Sequence, residues 1–239
     1  MSDPFVPGET TLSVILPCYN ESENIVASVS EATDALQVMG IENHEILIID
    51  DGSADDTALL ARELGKADAR VKLIQHTENR GYGEALRSGI GAATGDWIFI
   101  TDGDRQFYFE DLEQMIPLTD NADFCQGIRI KRADPMARVI IGKVYQRMIR
   151  VLFRVPVLDP ECSFRLIRAG LIKDVDLQYH GALVPLELVM RAEERGAVFG
   201  ERGVRHRIRE HGTSSAMTVP VFLVLVRELV LFRWRIGRG

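Results

Sequence analysis

The sequence predicts an α/β protein of the GT-A (Rossmann-like) kind, with a mostly parallel sheet flanked by helices, and three observations support this fold class. Short apolar runs alternate with longer segments of helical periodicity. Several of these runs end in polar, acidic loops, as strands do at the carboxyl edge of a parallel sheet. The chain has 239 residues and is 46% hydrophobic, which suffices for one large core.

The first half alternates strands and helices in chain order. We expect strands at four apolar runs bounded by polar residues, which are 11–17, 45–50, 71–75 and 97–100. Helices are expected between them, over about 23–39, 55–66 and 82–93, and again near 109–119. Ser22 is the expected N-cap of the first helix. A short strand near 122–126 ends this half.

The pattern changes after Gly127. We expect a basic helix over about 136–154, a loop over 159–168, a helix near 184–195 and two short strands within 197–208. The basic helix would place four side chains on one face, namely Lys143, Arg147, Arg150 and Arg154. Val219–Trp234 is apolar but too short to span a bilayer, and Arg227-Glu228 interrupts it. That segment is expected to form a C-terminal amphipathic or apolar helix, which lies at a membrane interface or packs on the core or on a partner subunit.

Charge is distributed unevenly along the chain, whose formal net charge is -7. Residues 127–154 carry eight basic side chains against Asp134 alone, and residues 201–239 carry eight arginines against three glutamates. Two basic segments in an acidic protein favour local contacts with phosphate or an anionic membrane over general nucleic-acid binding. Solvated helix faces are the alternative explanation.

Cysteines and the N-terminal residues indicate the compartment. Cys18, Cys125 and Cys162 show no metal-ligand spacing and fit a reducing environment. Residues 1–10 have neither the basic nor the apolar region of a secretory signal. We therefore expect a cytoplasmic protein without disulfides.

The acidic turn at 102–106 carries the strongest chemical signal. The strand at 97–100 leads into Asp102 and Asp104, which Gly103 separates. Two carboxylates at this spacing can converge on Mg²⁺ or Mn²⁺, which also take substrate phosphates as ligands. The small Gly103 would leave room for a diphosphate, whose departure the metal would assist. An ordinary polar turn explains the spacing alone equally well.

Two further loops are expected at the same sheet edge. Asp51 can accept a hydrogen bond from a nucleobase imide, and Tyr19 can stack on its ring, although simple helix capping in the 50–57 loop is the alternative. Gly81-Tyr82-Gly83 opens a helix as dinucleotide-binding turns do, but Leu86 stands where the third glycine belongs. A nicotinamide enzyme is therefore disfavoured, and Gly81 more simply permits a close approach of nucleotide or helix.

Taken in order, four motifs resemble those of the inverting family-two glycosyltransferases of GT-A fold. They are S-V-I-L-P-C-Y-N-E, I-I-D-D-G-S-A-D-D-T, N-R-G-Y-G-E-A-L-R-S-G and T-D-G-D-R-Q. The second half is similar to polyprenyl-phosphate sugar transferases of the dolichol-phosphate mannose synthase type. That similarity is carried by G-I-R at 127–129, Arg138, D-P-E-C-S-F-R at 159–165 and H-R-I-R-E-H-G-T-S-S at 206–215.

This resemblance, which covers about residues 11–215, implies roles for individual residues. The nucleotide pocket would contain Pro17, Tyr19, Glu21, Asp51, Gly81, Asp102 and Gly103. Metal and diphosphate would be held by Asp102, Asp104 and Gln106, and the acceptor phosphate by Arg129, Arg138 and Arg209. Ser214 or Ser215 would lie in a loop that closes on the donor. Two positions depart from the family pattern, since Phe107 replaces a proline and Gly142 replaces a serine of the phosphate site.

The nature of the acceptor decides which groups the chemistry needs. A lipid phosphate is already an anion, so arginines that position and neutralise it are sufficient. A hydroxyl acceptor needs a general base. Asp159 is the candidate, either as that base or as a group that orients an arginine. The expected reaction is one in-line displacement at the anomeric carbon with inversion, which positioning and electrostatics accelerate.

We therefore predict a divalent-metal-dependent transfer of hexose from a UDP- or GDP-sugar to polyprenyl phosphate. Residues 1–215 would form the catalytic domain, with a donor half at 11–126 and an acceptor half at 127–215. Residues 216–239 would dock peripherally on the cytoplasmic face of the membrane or form an oligomer contact.

Three alternatives remain. The same fold can serve a soluble or polysaccharide hydroxyl acceptor. A sugar-phosphate nucleotidyltransferase is disfavoured because no glycine-rich basic loop follows the first strand. A non-catalytic binding module is disfavoured by the intact D-x-D-x-Q stretch. Asp51 suits uracil and guanine equally, so sugar and base stay open.

Overall fold

The computed structural model confirms the predicted fold, with seven strands in one mixed sheet among the residues that it describes. It describes residues 3–130, 147–149, 151–179, 181, 183–209, 229 and 232–234. The strands are β1 (Leu12–Cys18), β2 (His44–Asp50), β3 (Val71–Gln75), β4 (Trp97–Ile100), β5 (Phe124–Ile130), β6 (Arg165–Arg168) and β7 (Phe199–Arg205). The α-helices are α1 (Ile25–Val38), α2 (Thr57–Ala67), α3 (Tyr82–Ala92), α4 (Ala169–Ile172) and α5 (Val184–Glu194).

The sheet has the order β3-β2-β1-β4-β6-β5-β7. The first four strands run parallel, β6 is antiparallel to both β4 and β5, and β7 is parallel to β5. Cys18 at the end of β1 pairs with Asp50 at the end of β2, and Ile15 pairs with Ile100 at the end of β4. The loops that follow these three strands therefore meet at one edge.

Two apolar layers cover the sheet. One face packs on α1 and α2, and the other on α3 and α5. The central strands β1 and β4 are buried along their whole length, which explains their mostly apolar sequences. A third cluster includes Phe232, which packs on Phe153 and Tyr179. The described residues of the C-terminal segment thus pack on the core through Leu229 and Phe232.

Several local predictions were wrong. The 165–168 segment, predicted as loop, is strand β6, which pairs with β4 and β5. The buried guanidinium of Arg165 is accommodated there by hydrogen bonds to the carbonyls of Cys162 and Pro160. The predicted helix near 109–119 is two 3₁₀ helices, Phe109–Gln114 and Ile116–Asp120. Pro117 lacks the N–H needed to continue a helix through the junction.

Other differences lie at element ends. Within 197–208 there is one strand, followed by a single bridge between Phe107 and His206. Asn24, not Ser22, is the N-cap of α1. The backbone N–H of Ser22 instead donates to Asp55. Most of the predicted basic helix at 136–154 and of 216–239 lies outside the described residues. No helix in the described part of the chain is long and apolar enough to cross a membrane.

Glu45 joins four segments at the edge of the sheet where β1 and β2 begin. Its carboxylate accepts four hydrogen bonds, from the Ser13 hydroxyl, the Thr94 backbone and hydroxyl, and the Lys72 ammonium. Burial raises the pKa of Glu45, but these hydrogen bonds outweigh burial and lower the pKa to about 2. The ionised carboxylate therefore stabilises the folded state.

We expect Glu45→Gln to lower the free energy of unfolding by about 2 kcal/mol near neutral pH, because an amide cannot accept all of these bonds. The pKa of Glu45 is lower in the folded than in the unfolded state. Its contribution is therefore fully present above about pH 4.3 and lost as the pH falls towards 2. Urea unfolding at about pH 7 and about pH 3 measures this. The exposed Glu42→Gln is the control, and equal stability of both variants at neutral pH would contradict the prediction.

Candidate active site

A cavity of about 610 Å³ opens where β1, β2 and β4 end. Its lining brings together most of the residues that the sequence singles out, namely Pro17, Tyr19, Glu21, Asp51, Gly81, Asp102, Gly103, Asp104, Gln106 and Arg209. Arg129 and Asp159 lie outside the described lining, and Arg138 lies outside the described residues. The edge predicted from strand polarity is therefore the edge that carries the cavity.

The two carboxylates of the acidic turn have different surroundings. Asp102 accepts hydrogen bonds from the hydroxyls of Ser163, at 2.7 Å, and Tyr82. Asp104 accepts one from the Gln106 backbone, at 3.1 Å, and a longer one from Arg209, at 3.4 Å. Asp102 is thus held by neutral donors of the protein, whereas Asp104 is held by a backbone N–H and a guanidinium.

The electrostatics of this pair favour a bound cation. Burial raises the pKa of Asp102. Burial and the neighbouring Asp102 charge raise the pKa of Asp104 to about 7. Among the described residues, no group of three histidine, cysteine, aspartate or glutamate side chains can hold a metal. A cation here would therefore take the two carboxylates, with Gln106 and ligand phosphates completing its shell.

Asp51 organises the loop that opens α3. Its carboxylate accepts hydrogen bonds from the ring of His76, at 2.7 Å, and from the backbone N–H groups of Arg80 and Gly81, at 2.9 and 2.8 Å. Gly81 has φ 91°, which favours glycine. A carboxylate oxygen has more than one lone pair, so a nucleobase contact is compatible with these bonds. Sequence analysis missed His76, whose only signal is its position directly after β3.

Gly103 is required by packing beneath the turn. A Cβ atom at this position would lie 2.5 Å from the sulfur of Cys18. The carbonyl of Gly103 accepts a hydrogen bond from Ser28, at 2.7 Å. The absence of a side chain at Gly103 thus lets the acidic turn pack closely on the end of β1. The predicted role of Gly103, to leave room for a diphosphate, is compatible with this packing.

We expect Gly103→Ala to lower the free energy of unfolding by about 1–3 kcal/mol, because the added methyl group overlaps the Cys18 sulfur. Cys18→Ala in the same chain removes that sulfur and should restore at least half of the loss. Thermal unfolding of the single and double variants measures both effects. Equal stability of Gly103→Ala and Gly103→Ala/Cys18→Ala would show that the contact is not responsible.

Arg209 reaches into the cavity from the segment that follows β7. Its guanidinium donates to the Glu21 carboxylate at 2.5 Å, in addition to Asp104. Burial raises the pKa of Glu21, which hydrogen bonds from Asn24 and Arg209 partly offset. Arg209 therefore places positive charge beside both the β1 loop and the acidic turn.

Arg129 and Asp159 form a bidentate pair, with two N–O distances of 2.8 Å. Burial lowers the pKa of Arg129, but the Asp159 carboxylate raises it overall, so the guanidinium stays charged. Asp159 is 4% exposed, and this geometry favours its predicted role as an orienting group over that of a base. The same loop supplies Ser163, which sequence analysis missed because serine in a loop carries no specific signal.

Phe107, one of the two departures from the family pattern, is buried. Its ring packs on Phe164 and His206, with centroid distances of 5.5 and 5.1 Å. It therefore helps to join the acidic turn to the segment after β7. Gly142, the other departure, lies outside the described residues.

Comparisons with known proteins bear on the family and the fold of this chain. The model of the family described as Glycosyl transferase family 2 matches residues 13–176. Among solved structures, glucosyl-3-phosphoglycerate synthase from Mycobacterium tuberculosis in complex with phosphoglyceric acid is 19% identical. It has a TM-score of 0.73, with 94% of this chain and 80% of that chain covered.

Two further structures show the same fold. Mannosyl-3-phosphoglycerate synthase from Rubrobacter xylanophilus is 15% identical with a TM-score of 0.76, covering 96% of this chain and 76% of that chain. The M. tuberculosis enzyme with Mn²⁺, UDP-glucose and phosphoglyceric acid is 18% identical with a TM-score of 0.68, covering 86% and 73%. Identities this low establish the shared fold and no more.

Proposed function

The chain belongs to glycosyl transferase family 2, and on that premise we propose that it moves a hexose from a nucleoside-diphosphate sugar to a phosphate-bearing acceptor. The observation that carries the proposal is the convergence of Asp102, Asp104 and Arg209 on one cavity at the carboxyl edge of the sheet. Such a cavity combines sites for a cation and for anionic groups, as transfer from a diphosphate requires.

The donor would occupy the cavity along the loops after β1 and β2. The base would lie near Tyr19 and Asp51, and the diphosphate near the acidic turn. Mg²⁺ or Mn²⁺ would be held by Asp102, Asp104 and Gln106, and when bound it supplies charge that stabilises the leaving diphosphate. The buried carboxylate pair supports this assignment, as does the Mn²⁺ with UDP-glucose in the M. tuberculosis enzyme.

The acceptor proposed first is a soluble phosphorylated compound. The comparisons support it, because the M. tuberculosis structure holds phosphoglyceric acid beside UDP-glucose. Arg209, within the cavity, and Arg129, oriented by Asp159, would bind the acceptor phosphate through charge-assisted hydrogen bonds. The acceptor hydroxyl would then attack the anomeric carbon in line, with inversion of configuration, as the bond from that carbon to the diphosphate breaks. The hydroxyl proton would pass to Asp159, whose carboxylate keeps further lone pairs beside its bonds to Arg129.

Polyprenyl phosphate is the second candidate. The pairing of Asp159 with Arg129 favours it, since a phosphate nucleophile needs no base and Asp159 is already engaged. Arg138 would add to the phosphate site. Residues 216–239 would then dock on an anionic membrane, and an oligomer contact remains the other proposal for them.

The test is nucleoside-diphosphate release from UDP- and GDP-hexoses with Mg²⁺ or Mn²⁺. Three reactions are compared, with phosphoglyceric acid, with polyprenyl phosphate in detergent and without acceptor. Release that requires phosphoglyceric acid supports the soluble acceptor, and release that requires the lipid supports the second candidate. No release above the acceptor-free rate with either compound would contradict the proposal of a phosphate-bearing acceptor of these classes.

A further inference from the structure

Glu31, in the middle of α1, binds two arginines from different segments of the chain. Its carboxylate accepts hydrogen bonds from Arg105, at 2.6 and 3.1 Å, and from Arg207, at 2.5 Å. The Glu31 side chain is 28% exposed, and Glu31 is not among the described residues that line the cavity. It therefore holds two segments without contacting the proposed substrates.

Arg105 belongs to the acidic turn and has an unusual backbone conformation. Its φ is 61°, in the left-handed region that residues other than glycine rarely adopt. The residue lies between Asp104 and Gln106, so this conformation sets the direction in which both side chains leave the turn. An arginine here costs strain that a glycine would not. Its ion pair with Glu31 offsets that cost and fixes the turn to α1.

Arg207 belongs to the segment after β7, which lies against the same turn. Its backbone N–H donates to the Gln106 carbonyl at 2.9 Å, and the Gln106 side chain donates to the Arg207 carbonyl at 3.4 Å. The Arg207 guanidinium also donates to the carbonyl of Arg105. Its guanidinium carbon lies 4.6 Å from the centroid of the Tyr108 ring. The two segments are thus joined by backbone, ion-pair and cation–π contacts.

Both joined segments supply groups to the cavity. Asp104 directly precedes Arg105, and Arg209 follows Arg207 by two residues, with 3.4 Å between the Arg209 guanidinium and the Asp104 carboxylate. A shift of either segment would change the distance between the carboxylate of the proposed cation site and the arginine of the proposed phosphate site. A misplacement of about 1 Å between reacting groups can cost about 10²-fold in rate.

We propose that Glu31 is a positioning residue, which through Arg105 and Arg207 holds the acidic turn and the Arg209 segment in register. The proposal deepens the proposed function and rests on it for its effect on nucleotide binding. Two guanidiniums share one carboxylate, so the neutral Glu31→Gln removes the negative charge of Glu31 from both ion pairs. The acidic turn would then sample other conformations, and the cation–nucleotide complex would bind more weakly.

The experiment compares Glu31→Gln with Asp34→Asn, which removes an exposed carboxylate from the same helix. Hydrogen–deuterium exchange of segments 103–108 and 205–209 in the free protein measures how firmly their backbone amides are held. Titration of Mn²⁺ by electron paramagnetic resonance, with UDP or GDP present, measures the affinity of the protein for Mn²⁺ and nucleotide without any turnover. We expect Glu31→Gln to raise exchange in both segments and to weaken Mn²⁺–nucleotide binding about tenfold, whereas Asp34→Asn changes neither.

A double variant tests whether the two arginines act through Glu31. Arg207→Gln should reproduce the exchange effect, and Glu31→Gln/Arg207→Gln should weaken binding less than the sum of the two single effects. If Glu31→Gln does not fold, the exchange measurement is made on Arg207→Gln alone. Wild-type exchange in the variants, or equal binding by Glu31→Gln and Asp34→Asn, would overturn the proposal. If wild-type protein binds no nucleotide while exchange still rises, the proposed function fails and the structural role of Glu31 stands.

Discussion

Asp104→Asn should lower kcat/KM for hexose transfer about 10³-fold, because the variant removes one of two carboxylates that would hold the cation beside the leaving diphosphate. We do not expect the substitution to lower the stability of the folded protein. Burial and the neighbouring Asp102 charge raise the pKa of Asp104 to about 7. Loss of the Asp104 charge therefore relieves the repulsion between the two carboxylates. We expect a melting temperature equal to or above that of the wild type, together with the loss of activity.

Steady-state kinetics at saturating Mn²⁺ and thermal unfolding measure these two effects. Asp34→Asn, with the same chemical change on an exposed helix face, is the control and should keep wild-type kcat/KM. Full metal-dependent turnover by Asp104→Asn would contradict the cation assignment. A large fall in the melting temperature would instead assign Asp104 a structural role.

Arg209→Met should raise KM for the phosphate-bearing acceptor and lower kcat/KM about 10²-fold, because the guanidinium would bind the acceptor phosphate with charge-assisted hydrogen bonds. Arg209→Lys should recover part of the loss, since it keeps the charge but not the forked geometry. In the free protein Arg209 lies 2.5 Å from Glu21. The substitution therefore also leaves Glu21 without this partner, which should modestly weaken donor binding.

Kinetics with the acceptor and the donor varied separately distinguish these effects. Arg62→Met, which changes an exposed arginine of α2, is the control. If Arg209→Met raises KM for the donor alone and leaves the acceptor unaffected, the acceptor role passes to other residues.

Apolar runs and the polar residues at their ends explain why the sequence predicted the strands and the edge of the sheet that carries the cavity. Strands β1, β2 and β4 have mostly apolar sequences, and the polar loops after them predicted the edge that carries the cavity. Asp102 and Asp104 were singled out because two carboxylates at this spacing can converge on one cation, and the structure brings both to the cavity. Parallel pairing then brings such loops together without any further information.

Contacts between distant segments explain what the sequence did not predict. Strand β6 was missed because an arginine does not predict a buried position, whereas Arg165 is fully buried, with hydrogen bonds to two nearby carbonyls and an electrostatic interaction with the distant Asp102. His76, Ser163 and Glu31 act through partners far away in the chain, and each is of a residue type that is common at surfaces and in loops. The 3₁₀ helices after the acidic turn follow from one proline within an otherwise helical pattern.

The most direct test of the proposed donor site is calorimetric titration of UDP and GDP into the wild-type protein, with and without Mn²⁺. We expect one of the two nucleotides to bind with Mn²⁺ and to bind at least about tenfold more weakly without it, because the acidic turn repels an uncompensated diphosphate. Metal-independent binding of equal affinity, or no binding of either nucleotide with Mn²⁺, would contradict the assignment of this cavity to a nucleoside-diphosphate sugar.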